Sequence, residues 1–180
     1  MSVHVIQRGN NRMSIFGDDS DFESFLAILE GSAKSHHVDV HGFVLMTSHC
    51  HLMVTPQDVT GLPRTMRQVG IRYVKYFNRK YDRIGTLWNG RYRSLLITDE
   101  RYWLTCLRYV ELNPVRANMV VDPADYRWSS YRTHAFGAET WRTPHPIYLA
   151  LGAADAERQG AYRSLCGVSP TVRELVRLRL

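Results

Sequence analysis

Cysteine is scarce in this 180-residue sequence, which contains only Cys50, Cys106 and Cys166. The three are far apart, odd in number and free of any CxxC pattern, which argues against a disulfide framework or a zinc ribbon and favours a reducing compartment. No apolar run approaches the roughly 18 residues of a membrane span, and the N-terminus lacks the apolar core of a signal peptide. The sequence therefore predicts a soluble, cytoplasmic protein that does not bind a membrane.

Positive charge is abundant in one segment only. The formal net charge is +6, but residues 64–93 carry +8 and the remainder −2. The basic residues of this segment are Arg64, Arg67, Arg72, Lys75, Arg79, Lys80, Arg83, Arg91 and Arg93. Such segregation is typical of a polyanion-binding surface, although a solvated basic helix face is the ordinary alternative.

The spacing of apolar residues predicts the element order β-α-β-β-α-β-α. Strands are predicted at 3–8, 38–46, about 49–55 and 91–97, and helices at about 20–36, 63–80 and from Thr98 or Asp99 to Pro114. This order indicates an α+β domain with a mostly antiparallel sheet and helices on one face.

The composition changes after Asp122-Pro123. We predict a domain over residues 1–135 and a helical C-terminal extension over 136–180, with short helices near 144–151, 155–165 and 170–179. The residues of this extension indicate no single role. Its arginines could bind DNA or face water; they are Arg173, Arg177 and Arg179.

The triplet His49-Cys50-His51 is the first candidate for chemistry. On a strand both imidazoles would project from one face, and Cys50 would point to the other. Neighbouring imidazoles form half of a metal site, since histidine is the commonest metal ligand. Packed core histidines are the alternative interpretation of so short a motif.

Tyr109 and Asn113 form a second candidate pair. They are four residues apart, so on a helix they would lie on one face, one turn from each other. The amide oxygen of Asn113 can complete a metal site begun by His49 and His51, and such a site suits Mg²⁺ or Mn²⁺. The Tyr109 hydroxyl would then have a nucleophile's position, whereas a core aromatic is its ordinary alternative.

These motifs together resemble a known family. The segment 44–54, VLMTSHCHLMV, is similar to the HUH motif of single-tyrosine transposases, and in particular to the REP-associated tyrosine transposases. HVIQRGNNR at 4–12, YFN at 76–78, LWNGRYRS at 87–94 and RYVELNPVRA at 108–117 follow the family's order. The resemblance covers about residues 3–135; Cys50, at the position of the bulky hydrophobe, is a mild departure.

The resemblance implies a ferredoxin-like or RRM-like core and a divalent ion held by His49, His51 and Asn113. It also implies attack by Tyr109 on single-stranded or hairpin DNA, giving a 5′-phosphotyrosine and a free 3′-hydroxyl. Either a homodimer or a monomer is compatible with it.

The DNA-binding surface is expected to combine basic, amide and aromatic side chains, because unpaired bases stack on aromatic rings. Tyr73 and Phe77 are expected in the core, whereas Trp88, Arg91 and Tyr92 are the better candidates for contact. The complete predicted set is Arg8, Asn11, Arg12, Arg64, Arg72, Lys75, Arg79, Trp88, Arg91, Tyr92 and Arg93.

Three other functions compete with a nicking transposase. One is a nucleic-acid-binding module that has lost catalysis, and another is a metal-dependent nuclease that activates water. A protein-binding scaffold is the third, but it explains neither the charge segregation nor the two matched residue pairs.

Overall fold

Four antiparallel strands form one sheet in the computed structural model, which describes residues 1–168 apart from the side chains of residues 100 and 101. The strands are β1 (Ser2–Arg8), β2 (Val38–Met46), β3 (His49–Pro56) and β4 (Arg93–Ile97). They lie in the order β2-β3-β1-β4. With one helix between β1 and β2 and another between β3 and β4, this is the ferredoxin-like arrangement. The predicted α+β fold is confirmed.

Helices account for most of the remaining chain. They are α1 (Asp19–Ser35), α2 (Gly61–Lys80), α3 (Glu100–Glu111), α4 (Asn113–Arg116), α5 (Tyr131–Phe136), α6 (Pro146–Leu149) and α7 (Asp155–Cys166), with 3-10 turns at Asn10–Arg12 and Pro123–Asp125. The first three helices lie close to their predicted positions, and β4 begins two residues later than predicted. The predicted helix at 170–179, with Arg173, Arg177 and Arg179, lies outside the described residues.

Local signals explain where these elements begin and end. Asp18 caps α1 through a capping box with Asp21, as its position before the apolar repeat indicates. Thr47 and Ser48 separate β2 from β3, as predicted for a hairpin. Leu112 leaves helical geometry before Pro114, so the predicted third helix divides into α3 and α4.

The prediction that the helices share one face of the sheet is wrong. Helices α1 and α2 pack together on one face, where Gln7 of β1 lines a cavity with Phe25 and Val69. Helix α3 covers the opposite face. The evidence is at Gly42 of β2, where an added Cβ atom would lie only 2.5 Å from the Leu107 Cδ1 atom of α3. The nearly unbroken burial of β2 and β3 follows from this two-sided cover.

The chain after α4 closes one edge of the sheet. Backbone hydrogen bonds join Leu45 to Trp128 at 2.9 Å and Phe43 to Ser130 at 3.0 Å. Helix α5 runs across residues 135 and 136, and the division into 1–135 and 136–180 stays a prediction. No helix within residues 1–168 combines the length and apolar character needed to cross a membrane.

Candidate active site

Strand β3 places His49 and His51 on the face of the sheet that α3 covers. In the antiparallel register His51 lies opposite Ile6 of β1 and Val44 of β2. The ring centroids of His49 and His51 are 5.1 Å apart. Cys50 points to the other face and is completely buried, and burial raises the pKa of its thiol to about 12. The triplet therefore divides between the two faces, as strand alternation predicts.

A third histidine, missed by the sequence analysis, lies against this pair. The His4 Nε2 atom is 2.9 Å from the Nδ1 atom of His51, and the two rings stack at 5.1 Å with 19° between their planes. His4 is completely buried. The alternation of polar residues in β1 is visible in the sequence, but the register that brings His4 to His51 is not.

Both candidate ligands use the Nδ1 atom for contacts within the protein. The Nδ1 atom of His49 is 3.3 Å from the Ser48 hydroxyl oxygen, and the Nδ1 atom of His51 faces His4. Within residues 1–168, neither Nε2 atom has a hydrogen-bond partner. The Nε2 atoms are therefore the ring nitrogens of this pair that are left without a partner in the described structure.

Burial keeps these imidazoles in the neutral form. It lowers the pKa of His4 and of His49 to about 4, and nearby Arg8 lowers the pKa of His49 further. The pKa of His51 is held well below its ordinary value, first by burial, then by the adjacent His4 and His49 rings, and last by Arg8 and Arg116. At neutral pH each ring keeps one nitrogen lone pair, which a metal ligand requires.

Tyr109 lies in the last turn of α3 and reaches the histidines. Its half-buried ring stands edge-on to His51, with centroids 6.1 Å apart, and 6.2 Å from the ring of His4. The guanidinium carbon of Arg116 lies 3.8 Å from the centroid of the Tyr109 ring. The sequence analysis did not predict this contact of Arg116. Arg116 lies on α4, and the direction of α4 after the break at Leu112 cannot be inferred from the sequence.

Asn113 begins α4 and secures the turn beneath Tyr109. Its side-chain nitrogen donates to the backbone oxygens of Tyr109 at 3.0 Å and Val110 at 3.4 Å. Arg116 donates to its side-chain oxygen at 3.3 Å. No contact between Asn113 and the histidines is found in the described structure, and its role as third ligand stays a prediction. Among residues 1–168, no group of three or more His, Cys, Asp and Glu side chains could hold a metal.

Glu111 fixes the end of α3 to the C-terminal part of the chain. Its buried carboxylate accepts hydrogen bonds from the Ser130 hydroxyl and from the Tyr162 hydroxyl at 2.6 Å. The Nδ1 atom of His134 lies 2.7 Å from the same carboxylate. Tyr109, two residues earlier, is therefore on a helix end that is held from several directions.

A polar cleft of about 830 Å³ gathers five of the predicted DNA-binding residues. Asn89 donates to the Arg8 carbonyl at 2.8 Å and joins the loop before β4 to the end of β1. Arg8 lies opposite His49 in the register, so this cleft adjoins the histidines. We call it the basic cleft; its lining is Ile6, Arg8, Asn10, Asn11, Arg12, Asn89, Arg91 and Arg93.

The other predicted DNA-binding residues lie elsewhere. Arg64 and Arg72 line a separate groove along α2, on the side of the sheet away from the histidines. Lys75 and Arg79 are exposed on the same helix. Trp88 and Tyr92 are half-buried and line an apolar cavity against α2. The predicted set is therefore divided among the basic cleft, the exposed side of α2 and the apolar cavity.

Part of the basic segment is structural. Lys80 lies 2.6 Å from the Asp18 carboxylate and 2.7 Å from that of buried Asp21. Tyr73 and Phe77, predicted in the core, are buried there.

Comparisons with known proteins agree with this architecture. A family model described as "Transposase IS200 like" matches residues 1–113, which is more than half of the chain. This match identifies the protein as a transposase. It belongs to the IS200-like transposase family.

Two solved structures are similar to this chain, and the first of them supports the fold. One, a REP-associated tyrosine transposase bound to a REP hairpin, is 13% identical and has a TM-score of 0.58 over 81% of this chain and 86% of that chain. The second is a proposed transposase of Deinococcus radiodurans R1, 19% identical, with a TM-score of 0.45 over 66% of this chain and 85% of that chain. No curated protein matches the sequence significantly.

Proposed function

We propose that this protein is a metal-dependent, single-tyrosine transposase that nicks single-stranded or hairpin DNA through a 5′-phosphotyrosine intermediate. The observation that carries the proposal is the approach of Tyr109 to His51, at 6.1 Å between ring centroids, on one face of the sheet. These residues are far apart in the sequence and come from different elements. A tyrosine beside two free imidazole edges and an arginine has the components of a phosphoryl-transfer site.

His49 and His51 fit a divalent ion such as Mg²⁺ or Mn²⁺. Their ring centroids are 5.1 Å apart and their Nδ1 atoms are already in contact with other side chains, so their Nε2 atoms would be the ones to hold the ion. Asn113 is proposed as the third ligand, for which its amide oxygen would have to leave Arg116. When bound, the ion would neutralise charge on the scissile phosphate and orient it for attack.

His4 acts in this proposal as a positioning residue. A proton on the Nδ1 atom of His51, donated toward the Nε2 atom of His4, leaves the lone pair of His51 on its own Nε2. Partners of this kind fix the tautomer and the orientation of a metal-binding histidine. His4 would thereby hold His51 ready for the ion without touching the DNA.

The reaction exchanges one phosphodiester for another. The oxygen of Tyr109 forms a bond to phosphorus as it loses its proton to solvent, and the bond between phosphorus and the 3′ oxygen breaks. The 3′ oxygen takes up a proton and leaves as a hydroxyl, while the 5′ phosphate stays on Tyr109. Attack by a 3′-hydroxyl reverses the step, and no nucleotide cofactor is consumed. Arg116, whose guanidinium lies over the Tyr109 ring, would supply a positive charge and hydrogen-bond donors for the scissile phosphate.

The substrate is proposed to be DNA with an accessible single strand. The basic cleft beside the histidines supplies Arg8, Arg12, Arg91 and Arg93 for phosphates. The REP-associated transposase with the same fold is bound to a REP hairpin, and the motifs of this chain resemble that family. A hairpin with a single-stranded foot is therefore the substrate class of choice.

A denaturing gel tests the proposal. Hairpin oligonucleotides labelled at the 3′ end are incubated with the protein and Mn²⁺, and we expect a labelled, protein-linked band. Tyr109→Phe should abolish this band, whereas Tyr81→Phe, a matched control on the far side of the sheet, should retain it.

Two results would contradict the proposal. A free 5′-phosphate without an adduct would indicate a water-activating nuclease. Binding without cleavage under all divalent metals would indicate a binding module.

A further inference from the structure

Next to the basic cleft, between α2 and the loop before β4, is a cavity of about 550 Å³. Its lining includes Gln7, Met66, Gly70, Trp88, Arg91 and Tyr92. The volume lies within the roughly 300–1,000 Å³ range of small-molecule sites. We call this space the aromatic cavity. It lies on the α2 face of the sheet and the basic cleft on the histidine face, and Arg91 lines both, so the two spaces adjoin at this residue. A nucleotide whose base enters the aromatic cavity would have its phosphates close to Arg91.

Trp88 leaves a hydrogen-bond donor unused beside this cavity. Its Nε1 atom is buried and has no hydrogen-bond partner, and it would lie 3.6 Å from the Cβ of a residue at position 70. A buried N–H group without a partner costs about 1–3 kcal/mol. A ligand with an acceptor on its edge would remove this cost.

Gly70 keeps the cavity open without being needed by the fold. It lies in the middle of the 20-residue helix α2, where glycine costs roughly 0.5–1 kcal/mol relative to alanine. A Cβ at this position would be in ordinary van der Waals contact with Trp88, so packing does not exclude a side chain. The space above Gly70 is thus retained at the expense of helix stability.

From these features we infer that the aromatic cavity binds an unpaired nucleobase of the DNA strand whose phosphates lie in the basic cleft. The aromatic lining provides faces for stacking, and the Trp88 N–H faces an acceptor atom on the edge of the base. Arg67 and Arg91 supply positive charge for the flanking phosphates. The inference rests on the proposed function, because it requires single-stranded DNA in the cleft.

Filling the cavity tests the inference. Fluorescence anisotropy in EDTA compares a 20-nucleotide strand of randomised sequence with an abasic strand of equal length, which keeps the phosphates and removes the bases. Stacking of a base on aromatic side chains is worth about 1–3 kcal/mol, so the wild type should prefer the base-bearing strand at least about fivefold. Gly70→Leu should reduce this preference at least about threefold and leave affinity for the abasic strand unchanged.

Two further variants keep the test decisive. Gly31→Leu alters a helical glycine in α1 whose Cβ would meet nothing within 4 Å, and it should bind both strands as the wild type does. Gly70→Ala, which fits without displacement, should give a preference between those of the wild type and Gly70→Leu. Thermal melting should show both Gly70 variants to be as stable as the wild type or more so.

The outcomes separate this inference from the proposed function. Tight and equal binding of both strands by the wild type would overturn the nucleobase pocket and leave DNA binding intact. An unchanged preference in Gly70→Leu would also overturn the pocket. Failure of the wild type to bind either strand would overturn the pocket, whereas the nicking of hairpin DNA is decided separately by the denaturing gel.

Discussion

The two faces of the sheet are built from the same strands but hold different chemistry. On the face toward α2, Cys50 and Leu52 are completely buried among apolar side chains. On the face toward α3, His49 and His51 of the same strand meet His4 and Tyr109. One strand therefore contributes to the core and to the candidate site by alternation alone.

Each face also contains one buried carboxylate that joins two parts of the chain. Asp21 connects α1 with α2 through Lys80 and the hydroxyl of Tyr81. Glu111 connects α3 with the C-terminal part. Buried carboxylates thus hold the helices on both faces of the sheet. Of the two, the face toward α3 also carries imidazole nitrogens without a partner in the described structure. Substitutions of single residues on each face test this difference.

The largest effect is expected from the candidate ligands. His49→Ala or His51→Ala should weaken Mn²⁺ binding at least about 100-fold, because loss of even an outer-shell partner costs about 10–100-fold. Titration calorimetry and the electron paramagnetic resonance of Mn²⁺ provide the measurement. Cys50→Ala is the matched control between them and should keep the affinity within about twofold. Equal losses in all three variants would remove the distinction between the faces.

Acid should destabilise the histidine face. The pKa of His4 is about 4 in the folded protein against about 6.5 when unfolded, so the unfolded chain binds more protons between these values. The contribution of neutral His4 to the free energy of unfolding is complete above pH 6.5 and is lost as the pH falls toward 4. The loss over this range is about 3 kcal/mol.

Urea unfolding of His4→Phe at pH 7.5 and 4.5 measures this contribution. The difference in stability between the two pH values should shrink relative to the wild type. His37→Asn, a control at an exposed residue with φ 53° that asparagine tolerates, should leave the difference unchanged. A pH dependence unaffected by His4→Phe would assign it to other groups.

Glu111→Gln should lower the free energy of unfolding by about 2 kcal/mol, because the amide cannot accept all the hydrogen bonds that the carboxylate accepts. Chemical denaturation gives the value. The exposed Glu139→Gln should change stability by less than about 0.5 kcal/mol. Equal effects of the two variants would show that the Glu111 contacts do not hold α3.

The smallest effect is expected from Cys50→Val. The side chain remains apolar and gains one heavy atom in a completely buried site, so the stability change should stay at about 1.5 kcal/mol or below. Metal binding should be unaffected, because the side chain points to the other face. A large loss of Mn²⁺ affinity with normal unfolding would be inconsistent with this separation of roles.

The sequence predicts much of the fold because its local signals agree. Alternation in β3, the cap at Asp18 and the stripe through Tyr73 and Phe77 each indicate one element, and the structure contains all three. The placement of α3 on the second face was missed. Periodicity records that a helix has an apolar face but not which side of the sheet that face covers.

The candidate site was predicted in part. The approach of Tyr109 to the histidines follows from two separate motifs, whereas His4 and Arg116 enter through strand register and a helix break. The basic segment predicted the DNA-binding surface only in part, because residues that are neighbours in the sequence need not be neighbours on the surface. Arg91 and Arg93 therefore reach the basic cleft, while Arg64 and Arg72 lie on another side.

The Glu111 contacts have a consequence for how the protein can be shortened. The family match ends at residue 113, and every residue predicted to carry chemistry lies at or before that point. Yet the groups that anchor Glu111 come from Ser130, His134 and Tyr162. A fragment trimmed to the matched segment would keep Tyr109 and the candidate metal ligands, but it would lose Arg116 and the hydrogen bonds that hold the end of α3. The smallest fragment that keeps these contacts therefore extends through α7.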